Sequence, residues 1–380
     1  MGSIMSILIL SALLVQPVQA QSLQEKMVLI IHPFTPIYSA HQQFNQGIID
    51  KLNSSTEYKL NYSFEYLDYS RFSHDEEYFD NIAQYLKAKY KKHPPDFIVT
   101  QANVRKLLDT YGQDIFPNVP AIIVQDRVGV PKEDGYFDYF FIQQATDIES
   151  NIELILGIMP KTKKIYMIIG DSVDERTFTV RLREASQKYM SKAEFVITNN
   201  MTYEQMMSTV KGAEGNSVIL YFRWLTDSNG NSFVPEQVAD EICRIAEVPV
   251  YGVDINYMGH GMVGGYVRDQ KIAGDSAADI ILEILVNNDT EKLQRIHAIK
   301  NNSVFDWRLL RKWNIDENIL PKNSKIEFRE ISLWEKYKVY ILGGLALFIL
   351  ETLLIFGLLL NRRQKRKAER QLLETNDNLQ

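Results

Sequence analysis

The chain has a single cysteine, Cys243, among 380 residues. No internal disulfide can form, so stability in an oxidising compartment has to come from burial, which a chain of this length can supply. The six histidines are scattered without metal-ligand spacing and Cys243 falls inside an expected helix, so no metal site is expected. No nucleophile elbow, phosphate-binding glycine loop or paired catalytic motif occurs, and neither catalysis nor a cofactor is expected of these residues. Basic charge is also short. Lys and Arg number 42 against 48 Asp and Glu, and between residues 21 and 338 the balance is 36 to 44. That balance argues against nucleic acid as a partner.

Charge is scarcest over Val339 to Leu360, VYILGGLALFILETLLIFGLLL, where 22 positions carry one ionisable side chain, Glu351. At about 1.5 Å per residue such a helix is about 33 Å long, enough to cross a hydrocarbon core of about 30 Å. A buried helix of a soluble protein is the competing reading. Five cations follow between Asn361 and Lys367, a cluster that stays cytoplasmic, and Trp334, Tyr337 and Tyr340 stand before and at the start of the run as interfacial rings. The C-terminus is therefore expected inside and the large N-terminal part outside. Residues 1–20 fit this topology as a signal peptide, with an apolar stretch from Ile4 to Val15 and small residues in Val18-Gln-Ala20. They lack the usual leading Lys or Arg, so an uncleaved anchor stays open.

Between these segments lie about 318 residues, more than one hydrophobic core usually organises, and two lobes are expected. Continuous apolar runs of the kind buried on both faces of a parallel sheet alternate with helical spacing. Met27 to His32, the alternating Leu60 to Tyr66, Phe97 to Thr100 and Ala121 to Val124 read as strands. Helices are expected around Phe44 to Leu52, Phe79 to Leu86 and Val104 to Leu108. After the aromatic segment Tyr136 to Ile142 a second series follows. Its strands are Lys164 to Ile169, Phe195 to Ile197, Val218 to Phe222 and Val248 to Tyr251, and its helices Ile148 to Met159, Phe178 to Met190, Tyr203 to Val210 and Pro235 to Ala246. Both series read as doubly wound α/β lobes. A further helix, Ile272 to Val286, carries Ala273, Gly274, Ala277 and Ala278 on its opening turns, where small residues permit close packing.

Val248-Pro-Val-Tyr-Gly252, Gly259-His-Gly-Met-Val-Gly-Gly-Tyr266, the helix that follows, and Val304-Phe-Asp-Trp-Arg-Leu-Leu-Arg311 closing on Leu320-Pro321 together carry a resemblance. The chain resembles the ABC-transporter-type periplasmic substrate-binding family, most closely members fused to a membrane span and a cytoplasmic histidine kinase or diguanylate cyclase. The resemblance implies a type I binding-protein fold: two α/β lobes joined by crossovers at Phe140 to Gln144 and Met262 to Val267, with a ligand between them. On that reading lobe 1 comprises residues 21–143 and 262–300, lobe 2 residues 144–261, and a closing and juxtamembrane segment residues 301–338. The span (339–360) and the cytoplasmic start of a signalling helix (361–380) follow.

Ligands of such sheets bind outside the carboxyl ends of the strands. The candidates there are Phe34, Tyr38 and Ser39; Gln101 and Asn103; Gln125; Asp171 and Ser172; Arg223 and Trp224; and Asp254, Tyr257 and His260. Aromatic and hydrogen-bonding side chains in this mixture suit a small polar or partly aromatic molecule. Asp171 and Ser172 equally suit helix caps. Tyr38, Trp224 and Tyr257 equally suit packing at the lobe edge, and His260, between glycines, equally suits a tight turn.

The function expected is the extracytoplasmic sensor region of a transmembrane receptor in the inner membrane, with a small-molecule ligand, a homodimeric state, and a cytoplasmic effector domain or response regulator as partner. A membrane-tethered substrate-binding protein of an ABC transporter is the alternative. Ala368, Leu372, Thr375 and Leu379 recur at 4, 3, 4 spacing, the beginning of a heptad seam that an anchor alone does not need.

Overall fold

The computed structural model describes residues 24–54, 58–72, 75–126, 138–287, 290–330 and 333–377. The expected signal peptide and the last seam position, Leu379, lie outside the described residues. The chain divides into two compact units, Met1–Glu327 and Phe328–Gln380.

The first unit starts with β1 (Gln24–His32), whose Val28 to Ile31 are wholly buried. It is followed by α1 (Ser39–Asn53), β2 (Tyr58–Tyr66) and α2 (Glu76–Tyr90), the last capped by Asp75, which accepts from the Tyr78 amide. Next come β3 (Phe97–Gln101), an irregular helical stretch over residues 102–115, β4 (Ala121–Gln125) and β5 (Tyr139–Gln143). Phe140 to Gln143 therefore lie within a strand, not a crossover: with both faces covered, the aromatic run is sheet core, and the chain leaves the sheet only after Gln143.

There follow α3 (Ile148–Ile158), β6 (Lys164–Ile169), α4 (Val173–Gln187), β7 (Glu194–Ile197), α5 (Tyr203–Lys211), β8 (Ser217–Arg223), α6 (Pro235–Ile245) and β9 (Val250–Gly252). β10 (Gly264–Val267), α7 (Gln270–Asn287), β11 (Ile296–Ala298), β12 (Asn302–Asp306), α8 (Trp307–Lys312) and β13 (Lys325–Glu327) complete the unit. Helix starts are set by side chains. Ser172 and Thr202 form capping boxes with Glu175 and Gln205, and Pro235 opens α6 where its missing N–H costs nothing.

Two parallel sheets result, one of six strands in the order β11-β5-β4-β3-β1-β2 and one of four in the order β7-β6-β8-β9. A small sheet, β10-β12-β13, pairs β10 with β12 antiparallel. Each large sheet has apolar clusters on both faces, which makes two α/β lobes. Phe305, Leu310 and Ile315 add to the core of the four-stranded lobe.

Helix α7 returns to the six-stranded lobe and lies against α1 closely enough that glycine is required on both helices. A Cβ on Gly47 would stand 2.2 Å from the Lys271 carbonyl oxygen, and one on Gly274 2.2 Å from that of Phe44. The second unit is one helix, α9 (Leu333–Asp377), of 45 residues. Its stretch Lys336–Gln371 is long and apolar enough to cross a membrane.

Candidate ligand-binding cleft

A cavity of about 1140 Å³ lies between the two lobes of the first unit, at the carboxyl ends of their strands. The six-stranded lobe contributes Phe34 and Tyr38 from the β1–α1 turn, His41 from the first turn of α1, Gln101 at the end of β3 with Asn103 just after it, and Gln125 at the end of β4 followed by Asp126. The four-stranded lobe contributes one face of α4, on which Asp174, Thr177, Phe178 and Arg181 recur at helical spacing, together with Arg223 at the end of β8 and Glu236 in the first turn of α6. Asp254, Asn256, Tyr257 and Arg268 complete the wall.

Hydrogen bonds join the lobes across this space. Tyr38 Oη donates to the Phe233 carbonyl at 3.2 Å and Ser39 Oγ to Glu236 Oε1 at 2.7 Å, while Asn103 bonds to Asp174. The densest knot is at Asp126. Its carboxylate accepts from the Thr146 amide and hydroxyl, both at 2.7 Å, and from Arg181 and Arg268, both at 3.1 Å. Arg268 also makes a two-pronged contact to Asp254 at 2.9 and 2.8 Å. Burial alone would raise the Asp126 pKa, but the guanidinium groups of Arg268 and Arg181 and the Thr146 bonds outweigh it and hold the group at about 2. Burial likewise opposes the charge on Arg268, and Asp254 and Asp126 more than restore it.

Beside the cavity, His32 and His41 lie with ring centroids 4.2 Å apart. Burial lowers the His32 pKa to about 4 and, with the His32 charge adding to it, takes His41 well below its ordinary value. Both rings are therefore neutral at physiological pH, and His41 is an uncharged wall residue.

Of the thirteen candidates, Phe34, Tyr38, Gln101, Asn103, Gln125, Arg223, Asp254 and Tyr257 line the cavity. Tyr257 does so with its hydroxyl committed to the Phe222 carbonyl at 3.1 Å. The other five lie elsewhere. Ser39 is spent on Glu236 at the junction of the lobes. Ser172 caps α4, and Asp171 accepts from Arg176 and from the Asn200 amide. Trp224 is wholly buried, because the residue after Arg223 points into the apolar core of its lobe. His260 pairs with Asp240 at 2.8 Å in a turn whose Gly259 and Gly261 have positive φ of 88° and 101°; a Cβ at Gly261 would also meet Cys243 at 2.7 Å.

Asp126, Arg181, Glu236 and Arg268 were not among the candidates, although Asp126 directly follows Gln125 and Arg268 follows the strand-like Gly264 to Val267. Among the described residues no group of three or more His, Cys, Asp or Glu is placed to hold a metal ion.

No protein-family model and no curated protein matches the chain. Solved structures do match in shape. A conserved domain protein from Vibrio cholerae aligns with a TM-score of 0.57 at 16% identity over 79% of this chain and 99% of its own. The ABC domain from Streptococcus pneumonia in complex with L-Trp aligns at 0.57 and 14%, over 80% and 100%. An ABC transporter solute binding protein from Bacillus halodurans with bound myo-inositol aligns at 0.50 and 10%, over 77% and 98%. The fold is that of a type I periplasmic binding protein. At these identities the likeness concerns architecture alone.

Proposed function

We propose that this chain is the extracytoplasmic sensor region of a single-pass receptor of the bacterial inner membrane, which binds a small molecule between its lobes and works as a homodimer. The observation that carries the binding role is the cavity wall itself. The rings of Phe34, Tyr38 and Phe178 stand there beside the polar side chains of Gln101, Gln125 and Arg223, around a space of about 1140 Å³. A lining of this mixture and a space of this size suit a small polar or partly aromatic molecule. The absence of a catalytic arrangement from the sequence fits binding rather than turnover.

The continuity of α9 favours a receptor over a tethered carrier. It remains helical past the basic cluster to Asp377, whereas an anchor has no use for a helix beyond the membrane face. Lobe 1 is read as residues 21–143 and 262–300 and lobe 2 as 144–261, with 361–380 starting the signalling helix toward a kinase, cyclase or response regulator. Solved structures of this fold hold ligands as different as L-Trp and myo-inositol, so the chemistry of the ligand is set by the wall and not by the architecture.

Thermal-shift screening of the full chain in detergent against amino acids, sugars, purines and aromatic acids is expected to yield a stabilising compound. Its affinity should fall at least tenfold in Gln125→Ala and in Gln101→Ala. A compound that binds both variants as tightly as wild type occupies another place, and the cleft assignment then fails.

A further inference from the structure

One seven-residue register runs through α9. The heptad seam expected beyond the apolar stretch begins at Ala368, and counting back from it by 3 and 4 in turn reaches Leu358, Leu354, Glu351, Leu347 and Gly344 within that stretch. The same count goes on to Tyr340 and Tyr337 at its start. Because the helix is unbroken from Leu333 to Asp377, these positions follow one side of it, with a drift of about 20° per heptad that two copies remove by coiling left-handed around each other. Tyr337 and Tyr340 share that side, their ring centroids 6.5 Å apart.

Apolarity cannot single out this side, since the stretch is apolar and exposed all round and lipid covers one face as well as another. Three other features do. Glu351, the one ionisable group between Val339 and Leu360, stands in the register. Its neighbour Thr352 is satisfied within the helix, donating to the Phe348 carbonyl at 2.7 Å, whereas among the described residues Glu351 has no hydrogen-bond or ionic partner. At that depth it needs one. Gly344 stands in the register too, and a Cβ there would meet nothing of its own chain within 4 Å, so the room it leaves is open to another helix. Where the register leaves the apolar stretch it passes through Asn361 and Lys365. Polar residues at such positions cost stability and fix the alignment and number of paired helices.

Resting on the homodimer proposed above, we infer that two copies of α9 pack in parallel along the side that carries Gly344, Leu347, Glu351, Leu354 and Leu358, with one Glu351 carboxyl donating a hydrogen bond to the other.

The test places single cysteines in the full chain, in a Cys243→Ala background, and measures disulfide-linked dimer after copper phenanthroline oxidation of membranes from cells that express it. Gly344→Cys, Leu347→Cys, Leu354→Cys and Leu358→Cys should give at least fivefold more dimer than Leu342→Cys, Ile349→Cys and Phe356→Cys, which lie on the opposite side. Added to Leu347→Cys or Leu354→Cys, Glu351→Leu should cut the yield at least threefold, and Glu351→Gln, which keeps a hydrogen-bonding side chain, should retain most of it. Thermal melts of each variant in detergent check that the two lobes are folded. Yields that peak at Gly343→Cys, Leu350→Cys and Gly357→Cys on the adjacent face, that peak on the opposite side, or that are alike at all positions overturn this seam and leave a homodimer standing. A yield that Glu351→Leu leaves unchanged overturns the carboxyl contact. If no position gives dimer, the homodimer fails and the seam with it.

Discussion

Replacing Asp126 with Asn keeps the side chain's shape and removes the one charge on which Arg181 and Arg268 converge. The fall of its pKa from the ordinary 3.8 to about 2 corresponds to about 2 kcal/mol of stability, since each pKa unit is worth about 1.4 kcal/mol. Asp126 is 21% exposed, so solvent screening takes little from that figure. Arg268 keeps Asp254 in the variant, which holds the loss below the roughly 3–5 kcal/mol of isolating a buried charge. The folded-state value is the depressed one. The contribution is therefore complete above about pH 4 and is lost as the pH falls through about 2. Urea unfolding of the full chain in detergent, followed by near-ultraviolet circular dichroism between pH 7 and pH 2.5, measures it. Wild type should exceed Asp126→Asn by about 2 kcal/mol at pH 7, and the gap should narrow below pH 4. A gap that is absent at pH 7, or that stays constant to pH 2.5, would refute the ionic account of this knot.

Gly274→Ala would press a methyl against the backbone of α1, 2.2 Å from the Phe44 oxygen and 3.0 Å from the Ile48 nitrogen. A loss of about 1–3 kcal/mol is expected in thermal melts, while Gly157→Ala, with open space around its Cβ, should be neutral or slightly stabilising. Glu351 near the middle of the apolar stretch costs about 2.5–3.5 kcal/mol on insertion, which a hydrogen bond from a second copy would offset. Glu351→Leu should therefore weaken self-association of the span in a membrane dimerisation assay, and undiminished association would exclude that role. Two glycines inserted between Asn361 and Arg362 should leave ligand affinity within about twofold and abolish ligand-dependent output of a fused kinase or cyclase. A normal response would favour the carrier.

Most strands could be read from the sequence because both faces of each large sheet are covered, so that Val28 to Ile31 or Ile165 to Ile169 appear as apolar runs with little polar interruption. Helix α4 was expected from Phe178, yet it begins at Val173. Its first turn is polar where it faces the cleft, and only the Ser172–Glu175 capping box marks the start. The aromatic run before Gln143 was misjudged as a crossover for a related reason: hydrophobicity announces burial but not which sheet provides it. For the cavity wall, strand ends were a workable guide: Arg223, the last residue of β8, lines the cleft. The guide fails for the next residue, because successive side chains alternate and Trp224 turns into the core. The ionic knot was illegible for a different reason. Asp126 meets Arg181 across 55 positions and Arg268 across 142, and no local spacing encodes a pairing made only when the lobes come together.

Helix α9 has no proline and runs unbroken for 45 residues, which makes it a rod of about 67 Å. A rod converts angle into displacement without needing to bend. If it pivots about its middle, a tilt of about 5° carries each end about 3 Å in opposite directions, as far as a helix extends over two residues. Leverage of that size means that a rearrangement at one end too slight to alter any strand pairing could change which side chains meet at the other.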